Sequence, residues 1–170
     1  MLFLGLGSNL SSKFGNRFQI INTALAFLES YKIFIKKKSS FYETPSYPDL
    51  KNPKFINIVV EVNTSLPPED LASVLLFIEE KLGRKRLEKN EPRTCDIDII
   101  DFEGKIMTFS YKNLVFSVPH EKLSQRSFVL VPLKEISPNW KHPKTKENIS
   151  VMIEKLSEED RKSILKVAES

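Results

Sequence analysis

Cysteine is nearly missing from this chain. One thiol, Cys95, in 170 residues excludes an internal disulfide and points to a reducing compartment. Glycine occurs only five times. No Gly-x-x-x-x-Gly-Lys-Ser/Thr loop exists, and no Gly-x-Gly-x-x-Gly follows a strand. Any nucleotide must therefore be held by other means. No apolar run is long enough to cross a bilayer. The opening Met1-Leu2-Phe3-Leu4-Gly5 lacks the charged head and length of a secretion signal. A soluble cytoplasmic protein is expected. Repeats, low-complexity segments and linkers are also absent. The expected organisation is a single domain over residues 1–170, with a core to about residue 140 and a helical extension from about 148 to 168.

What is present is apolar and charged in globular proportion: 41% hydrophobic, 28% charged, twelve Phe. The net charge of +4 is unevenly spread. Lys36-Lys37-Lys38 reads as a solvated strand end. A second basic run, residues 84–93, contains Arg84, Arg86 and Arg93, and the forked arginine head suits phosphate. Directly after it comes Pro92-Arg93-Thr94-Cys95-Asp96-Ile97-Asp98-Ile99-Ile100. Its apolar and β-branched residues predict a strand. Alternation then sends Cys95, Ile97 and Ile99 to one face and Asp96 and Asp98 to the other. Two carboxylates side by side repel unless a cation separates them, and Mg²⁺ favours such oxygen ligands together with substrate phosphates. A cationic loop beside a carboxylate pair is suited to phosphoryl transfer. The plainer alternative is a polar edge strand.

The hydrophobic periods predict a strand over 2–6, a helix over 16–31, a strand over 33–42 and a strand over 55–63. A helix opens at Pro67-Pro68-Glu69-Asp70 and stops at Gly83. The carboxylate strand follows, then a turn at Glu103-Gly104, a strand over 114–118, and a short helix over 128–136 with Pro132 in or near its first turn. The order is β-α-β-β-α-β with additions. This is an α+β fold of the ferredoxin-like plan: an antiparallel sheet with helices on one face. Cys95 reads as a buried small apolar residue and His142 as surface. Gly7-Ser8-Asn9 either turns the chain or brings backbone close to a ligand.

Several short motifs now stand in one order: Gly7-Ser8-Asn9-Leu10, Ser40-Phe41-Tyr42-Glu43-Thr44-Pro45, Phe55-Ile56-Asn57, Glu79, Gly83-Arg84-x-Arg86, the Pro-Arg-x-x-Asp-x-Asp stretch, Val118-Pro119-His120, and Arg126-Ser127-Phe128 through Leu133. Together they resemble the 6-hydroxymethyl-7,8-dihydropterin pyrophosphokinase family of folate biosynthesis, from the first residues to Trp140. The resemblance implies transfer of pyrophosphate from ATP to the pterin hydroxymethyl group, releasing AMP. It implies two Mg²⁺ ions on Asp96 and Asp98. Arg84 and Arg93 would join that pair as catalytic groups. Glu79, Arg84, Arg86, Arg93, Ile99, His120 and Arg126 would hold ATP. Thr44, Pro45, Tyr47, Phe55, Asn57 and Phe128 would hold the pterin, with the two Phe rings stacking on it.

Three departures accompany the match. Asn90-Glu91 replaces the usual aromatic-Gly of the loop, Lys89 stands where Arg is common, and residues 11–16 form a longer turn. Tyr47 takes a position that is usually aliphatic. The expected partners are the two small substrates, without nucleic acid or membrane, for a monomer. The alternatives are an inactive relative that binds pterin or nucleotide, and a ferredoxin-like RNA-binding module using the basic loop and sheet aromatics.

Overall fold

A computed structural model describes residues 1–46, 50–83 and 94–170. Expectations that fall on Tyr47, on Arg84, Arg86 and Arg93, or on Lys89-Asn90-Glu91 lie outside the described residues.

Strand β1 (Leu2–Ser8) leads into helix α1 (Arg17–Ser30). The turn between them is closed by paired backbone bonds between Ser12 and Gly15. Gly15 sits there at φ 115°, a conformation that favours glycine. Asn16 caps α1, accepting from the Gln19 amide at 3.0 Å while its own amide donates to Gln19 Oε1 at 2.8 Å. Next come β2 (Phe34–Lys38), β3 (Phe41–Thr44) and β4 (Phe55–Asn63). The single strand expected over 33–42 is thus broken in two. Ser39 makes the break: its amide donates to the Val59 carbonyl at 2.9 Å and its hydroxyl accepts the Val59 amide at 3.0 Å. Helix α2 (Pro68–Lys81) starts on proline with Glu69 and Asp70 in its first turn, where acids suit the helix dipole. Strand β5 (Asp96–Phe102) and the hairpin β6 (Met107–Tyr111) and β7 (Leu114–Val118) follow.

The main sheet runs β5-β1-β4-β3, with β2 also on β4, and its pairs are antiparallel. If β2 and β3 count as one bent strand, this is the ferredoxin-like order. On β1, Leu2, Leu4 and Leu6 point into a core shared with Phe18, Ile21 and Leu28 of α1 and Leu71, Leu75 and Ile78 of α2. Each such fully buried side chain contributes about 1.5–3 kcal/mol. A bulge in β5 opposite Phe3 and Leu4 changes the alternation there. Ile97 and Ile99 join the first core, while Ile100 joins a second one.

That second core corrects the expectation of helices on one face only. Helix α3 (Ser127–Ile136) and helix α4 (Ile149–Glu154) cover the opposite face, packing Val129, Leu130, Leu133, Ile149 and Met152 against Phe3, Val59 and Ile100. Pro132 lies past the first turn of α3, inside the helix. It removes one helical bond, and the buried neighbours Leu130 and Leu133 hold the helix regardless. The tail is not wholly helical. After α4 and helix α5 (Glu158–Ser163) it ends in β8 (Leu165–Val167), which pairs with β3. His142 is buried rather than on the surface: its Nδ1 accepts the amides of Lys144 and Thr145 at 3.1 and 3.3 Å. Both partners lie two and three residues ahead, a local turn that spacing to other reactive groups does not reveal. Among the described residues no helix is long and apolar enough to cross a membrane.

Candidate active site

The sheet register builds the site row by row. Gly7 of β1 pairs with Asn57 on one side and Asp96 on the other. Gly5 likewise lies between Val59 and Asp98. Adjacent strands are about 4.8 Å apart, so Asn57 and Asp96 stand about 10 Å apart across a glycine floor. A cavity of about 230 Å³ sits on that floor.

Thr44, Pro45, Phe55, Asn57, Asp96, Asp98, Arg126 and Phe128 all line it, as do Gly5 and Gly7. Asn57 is buried and donates from Nδ2 to Thr44 Oγ1 at 3.0 Å. That bond fixes the amide and leaves its oxygen facing Gly7. A Cβ on Gly7 would approach Asn57 Oδ1 to 2.7 Å. Two aromatic rings, a fixed amide and a hydroxyl make a slot for a flat heterocycle with polar edges.

Asp98 faces Arg126, with Nη1 to Oδ2 at 3.5 Å. The Arg126 guanidinium also lies 5.6 Å from the centre of the Phe128 ring. Asp96 and Asp98 line a second cavity too, of about 350 Å³, together with Ile99, Phe116, Val118 and His120. The carboxylate pair therefore stands at a junction between two cavities. His120 follows the cis Val118-Pro119 bond, and its Nδ1 accepts the Lys122 amide at 3.0 Å. Burial lowers its pKa from the ordinary imidazole value; Arg126 and Lys122 push the same way, partly offset by Glu121 and Asp96. At neutral pH it is a neutral ring, and with Nδ1 accepting, Nε2 carries the proton.

Glu79 sits apart from both cavities. It is buried, and its Oε2 accepts the Ile97 amide at 2.7 Å. It holds the strand segment between the two aspartates. Cys95 is buried on the Ile97–Ile99 face, as the alternation requires. The cavity residues that sequence reasoning missed are chiefly Gly5 and Val129, with Gly7 seen only as an ambiguous turn. Their signal was available: Gly-x-Gly at strand spacing, on the neighbour of a strand carrying Asp-x-Asp.

Asp96 and Asp98 offer hard oxygen donors. Among the described residues no group of three or more acidic, His or Cys side chains gathers into a metal cage. That donor set fits Mg²⁺, which keeps waters and takes phosphate oxygens beside one or two carboxylates.

The family model described as 7,8-dihydro-6-hydroxymethylpterin-pyrophosphokinase (HPPK) matches residues 3–138. The Synechocystis 2-amino-4-hydroxy-6-hydroxymethyldihydropteridine pyrophosphokinase is 35% identical over 154 residues, 90% of this chain and 74% of that protein. The folic acid synthesis protein fol1 of Pneumocystis carinii is 37% identical over 164 residues, 96% of this chain. The chain spans only 21% of that fungal protein. Among solved structures, a Plasmodium falciparum HPPK-DHPS crystal structure superposes with a TM-score of 0.75 over 97% of this chain and 46% of that one, at 17% identity. That likeness concerns the fold.

Proposed function

The chain belongs to the 7,8-dihydro-6-hydroxymethylpterin-pyrophosphokinase family, and from that premise we propose that it transfers pyrophosphate from ATP to 6-hydroxymethyl-7,8-dihydropterin. One observation carries the reading: the Asp96–Asp98 pair is shared by a flat aromatic slot and a second cavity. A transferase for two substrates needs such a junction.

The pterin enters the slot between Phe55 and Phe128. Its ring edge meets the Asn57 amide, the Thr44 hydroxyl and the backbone at Pro45, and its hydroxymethyl group points towards the carboxylates. ATP occupies the second cavity, along Ile99 and β7, with His120 and Arg126 on its phosphates. Arg84, Arg86 and Arg93 complete the clamp, with Arg84 and Arg93 acting on the transferred group. Tyr47 adds to the pterin pocket. Glu79 acts through Ile97, by holding the carboxylate strand. Mg²⁺ held by Asp96 and Asp98, two ions in this reading, supplies neutralisation of the phosphate charge.

The bond between the pterin oxygen and the β-phosphorus forms. The bond from that phosphorus to the α,β-bridging oxygen breaks, and its electron pair leaves with AMP. The hydroxyl proton passes to solvent. The carboxylates facing that hydroxyl, Asp96 and Asp98, are given to the metal in this reading, so positioning carries much of the rate. We extend the reading to a cytoplasmic monomer without nucleic-acid or membrane partners.

The test is a product assay with ATP, Mg²⁺ and the pterin. Pterin-dependent AMP, without ADP, is expected. Pterin binding without AMP would favour an inactive relative. Salt-sensitive RNA binding without Mg²⁺ would favour the RNA module.

A further inference from the structure

The slot is bounded by three elements: Phe128 and Arg126 at the start of α3, Thr44 and Pro45 at the end of β3, and Phe55 and Asn57 on β4. Strand β3 has four residues and pairs with β4 on its inner edge, Thr44 opposite Phe55 and Tyr42 opposite Asn57. Three features outside the slot fix it against α3.

The first is Glu135, two turns along α3 from Phe128. Its carboxylate accepts the Ser40 amide at 3.1 Å, the Ser40 hydroxyl at 2.8 Å and the Tyr42 hydroxyl at 2.7 Å. These bonds span 93 to 95 residues of chain and tie the last turn of α3 to β3. Burial raises the Glu135 pKa, yet the Tyr42 and Ser40 bonds outweigh it and hold the carboxyl below its ordinary range. The Tyr42 ring is buried, with its hydroxyl directed at that carboxylate.

The second is β8, which lies on the outer edge of β3 with Phe41 opposite Val167 and Tyr42 opposite Lys166. Lys166 adds its charge on the Glu135 side. The third is the anchoring of the tail itself. Asn22 donates to Glu169 at 2.9 Å, and Asn16, the α1 cap, donates to the Ser170 carbonyl at 3.2 Å. Of this arrangement, β8, Glu169 and Ser170 lie beyond the residues matched by the family model, which end at 138.

We propose that Glu135, Tyr42 and the terminal strand β8 are positioning elements that hold the ring-edge side of the pterin slot, Thr44 and Pro45, against Phe128 by locking β3 to α3. The proposal rests on the pterin reading given above. None of the three touches the slot. They act through Thr44, two residues from Tyr42, and through Phe128 on the helix that carries Glu135. The second cavity is lined by none of Thr44, Pro45 and Phe128, and Arg126 is the one residue of that side given to the nucleotide, so the lock acts chiefly on the pterin.

The experiment compares the full chain with Glu135→Ala, Glu135→Gln, Tyr42→Phe and a chain ending at Ile164. Two affinities are measured: the dihydropterin by fluorescence, and α,β-methylene-ATP with Mg²⁺ by calorimetry. Amide exchange over Phe41–Thr44 is followed without ligand. Loss of a charged hydrogen-bond hub should weaken pterin binding about tenfold in Glu135→Ala and in the shortened chain, and about threefold in Tyr42→Phe. Glu135→Gln, which can still accept from Ser40, should recover part of the loss. The nucleotide analogue should bind within about twofold of the full chain in each, and β3 amides should exchange faster. Unchanged pterin affinity, or pterin and nucleotide weakening in parallel, overturns the proposal. Should the shortened chain fail to fold, the three point variants decide. A full chain that binds no pterin overturns the substrate reading instead, and unchanged exchange in β3 would then still dismiss the lock.

Discussion

The two faces of strand β1 are built on opposite rules. Towards α1 and α2 it presents Leu2, Leu4 and Leu6, each almost wholly buried. Towards α3 it presents Phe3, then Gly5, then Gly7. The packed face is filled and the other empties progressively along one strand. Glycine inside a strand weakens it, because it orders backbone without packing a side chain. Here the missing side chains are the cavity floor, and the flanking rows supply Asn57 on one side and Asp96 and Asp98 on the other. Along β1 the packing lies mainly on one face and the cavity floor on the other, so substitutions on its two faces should separate stability from chemistry.

The largest effect belongs to the open face. Asp96→Ala or Asp98→Ala should lower the transfer rate by about 10³-fold or more, the scale for losing a principal electrostatic stabiliser of the reacting group. Both side chains line open cavities, so thermal unfolding should hardly move. Asp98→Ala also leaves Arg126 without its 3.5 Å partner. Near wild-type turnover in either variant would remove the carboxylate pair from the mechanism. On the packed face, Leu4→Ala should cost about 2–5 kcal/mol in denaturant unfolding, the usual range for a buried leucine. Whatever protein remains folded should keep its pterin affinity.

Gly7→Ala tests the boundary between the faces. Alanine is the better strand former, but its methyl has no room here, so stability should fall by about 1–3 kcal/mol, the usual cost of overpacking. The added methyl would meet Asn57 Oδ1 at 2.7 Å, and the amide cannot swing freely because Thr44 holds its other end. Pterin affinity should fall about tenfold, the equivalent of one good hydrogen bond and some shape. A fall in stability with unchanged affinity would mean that Gly7 serves packing rather than the slot.

How legible this was depended on the range of the interactions. The carboxylate strand could be read because alternation is local: Asp96 and Asp98 on one face, Cys95, Ile97 and Ile99 on the other. The core order followed from hydrophobic period, and β4 and β7 have the bounds that their alternation gives. The break at Ser39-Ser40 was not legible, because it depends on bonds to Val59, twenty residues away. Nor was the second helical layer: α3 and α4 meet Phe3, Val59 and Ile100 only once the sheet exists. Glu79 entered the site only through the resemblance, as a residue holding ATP, since nothing local says that Ile97 will present its amide there. The family resemblance supplied names for slot residues, but not the glycine floor that spaces them.

The smallest expected effect lies away from the site, at the buried end of the second core. His142 packs edge-on to Trp140, whose indole donates to Asp101 at 2.8 Å. Burial lowers the His142 pKa below the ordinary imidazole value; Lys144 adds to the shift, while Asp101 and Glu147 oppose it. The unfolded chain therefore binds this proton at higher pH than the folded one does. Stability should be level above about pH 6.5, the unfolded value, and should decline as pH falls from there towards the folded value. Protonating Nδ1 also removes the acceptor for the Lys144 and Thr145 amides. His120 is shifted the same way and contributes in the same window. The carboxylate of Glu135, shifted down, gives its stabilisation above the ordinary glutamate range and loses it only in stronger acid. Thermal melts from pH 8 to pH 5 should show a shallow decline beginning near pH 6.5, and His142→Asn should flatten part of it. An equal slope in that variant would assign the whole decline to His120, and hence to the second cavity rather than to the packed end of the second core.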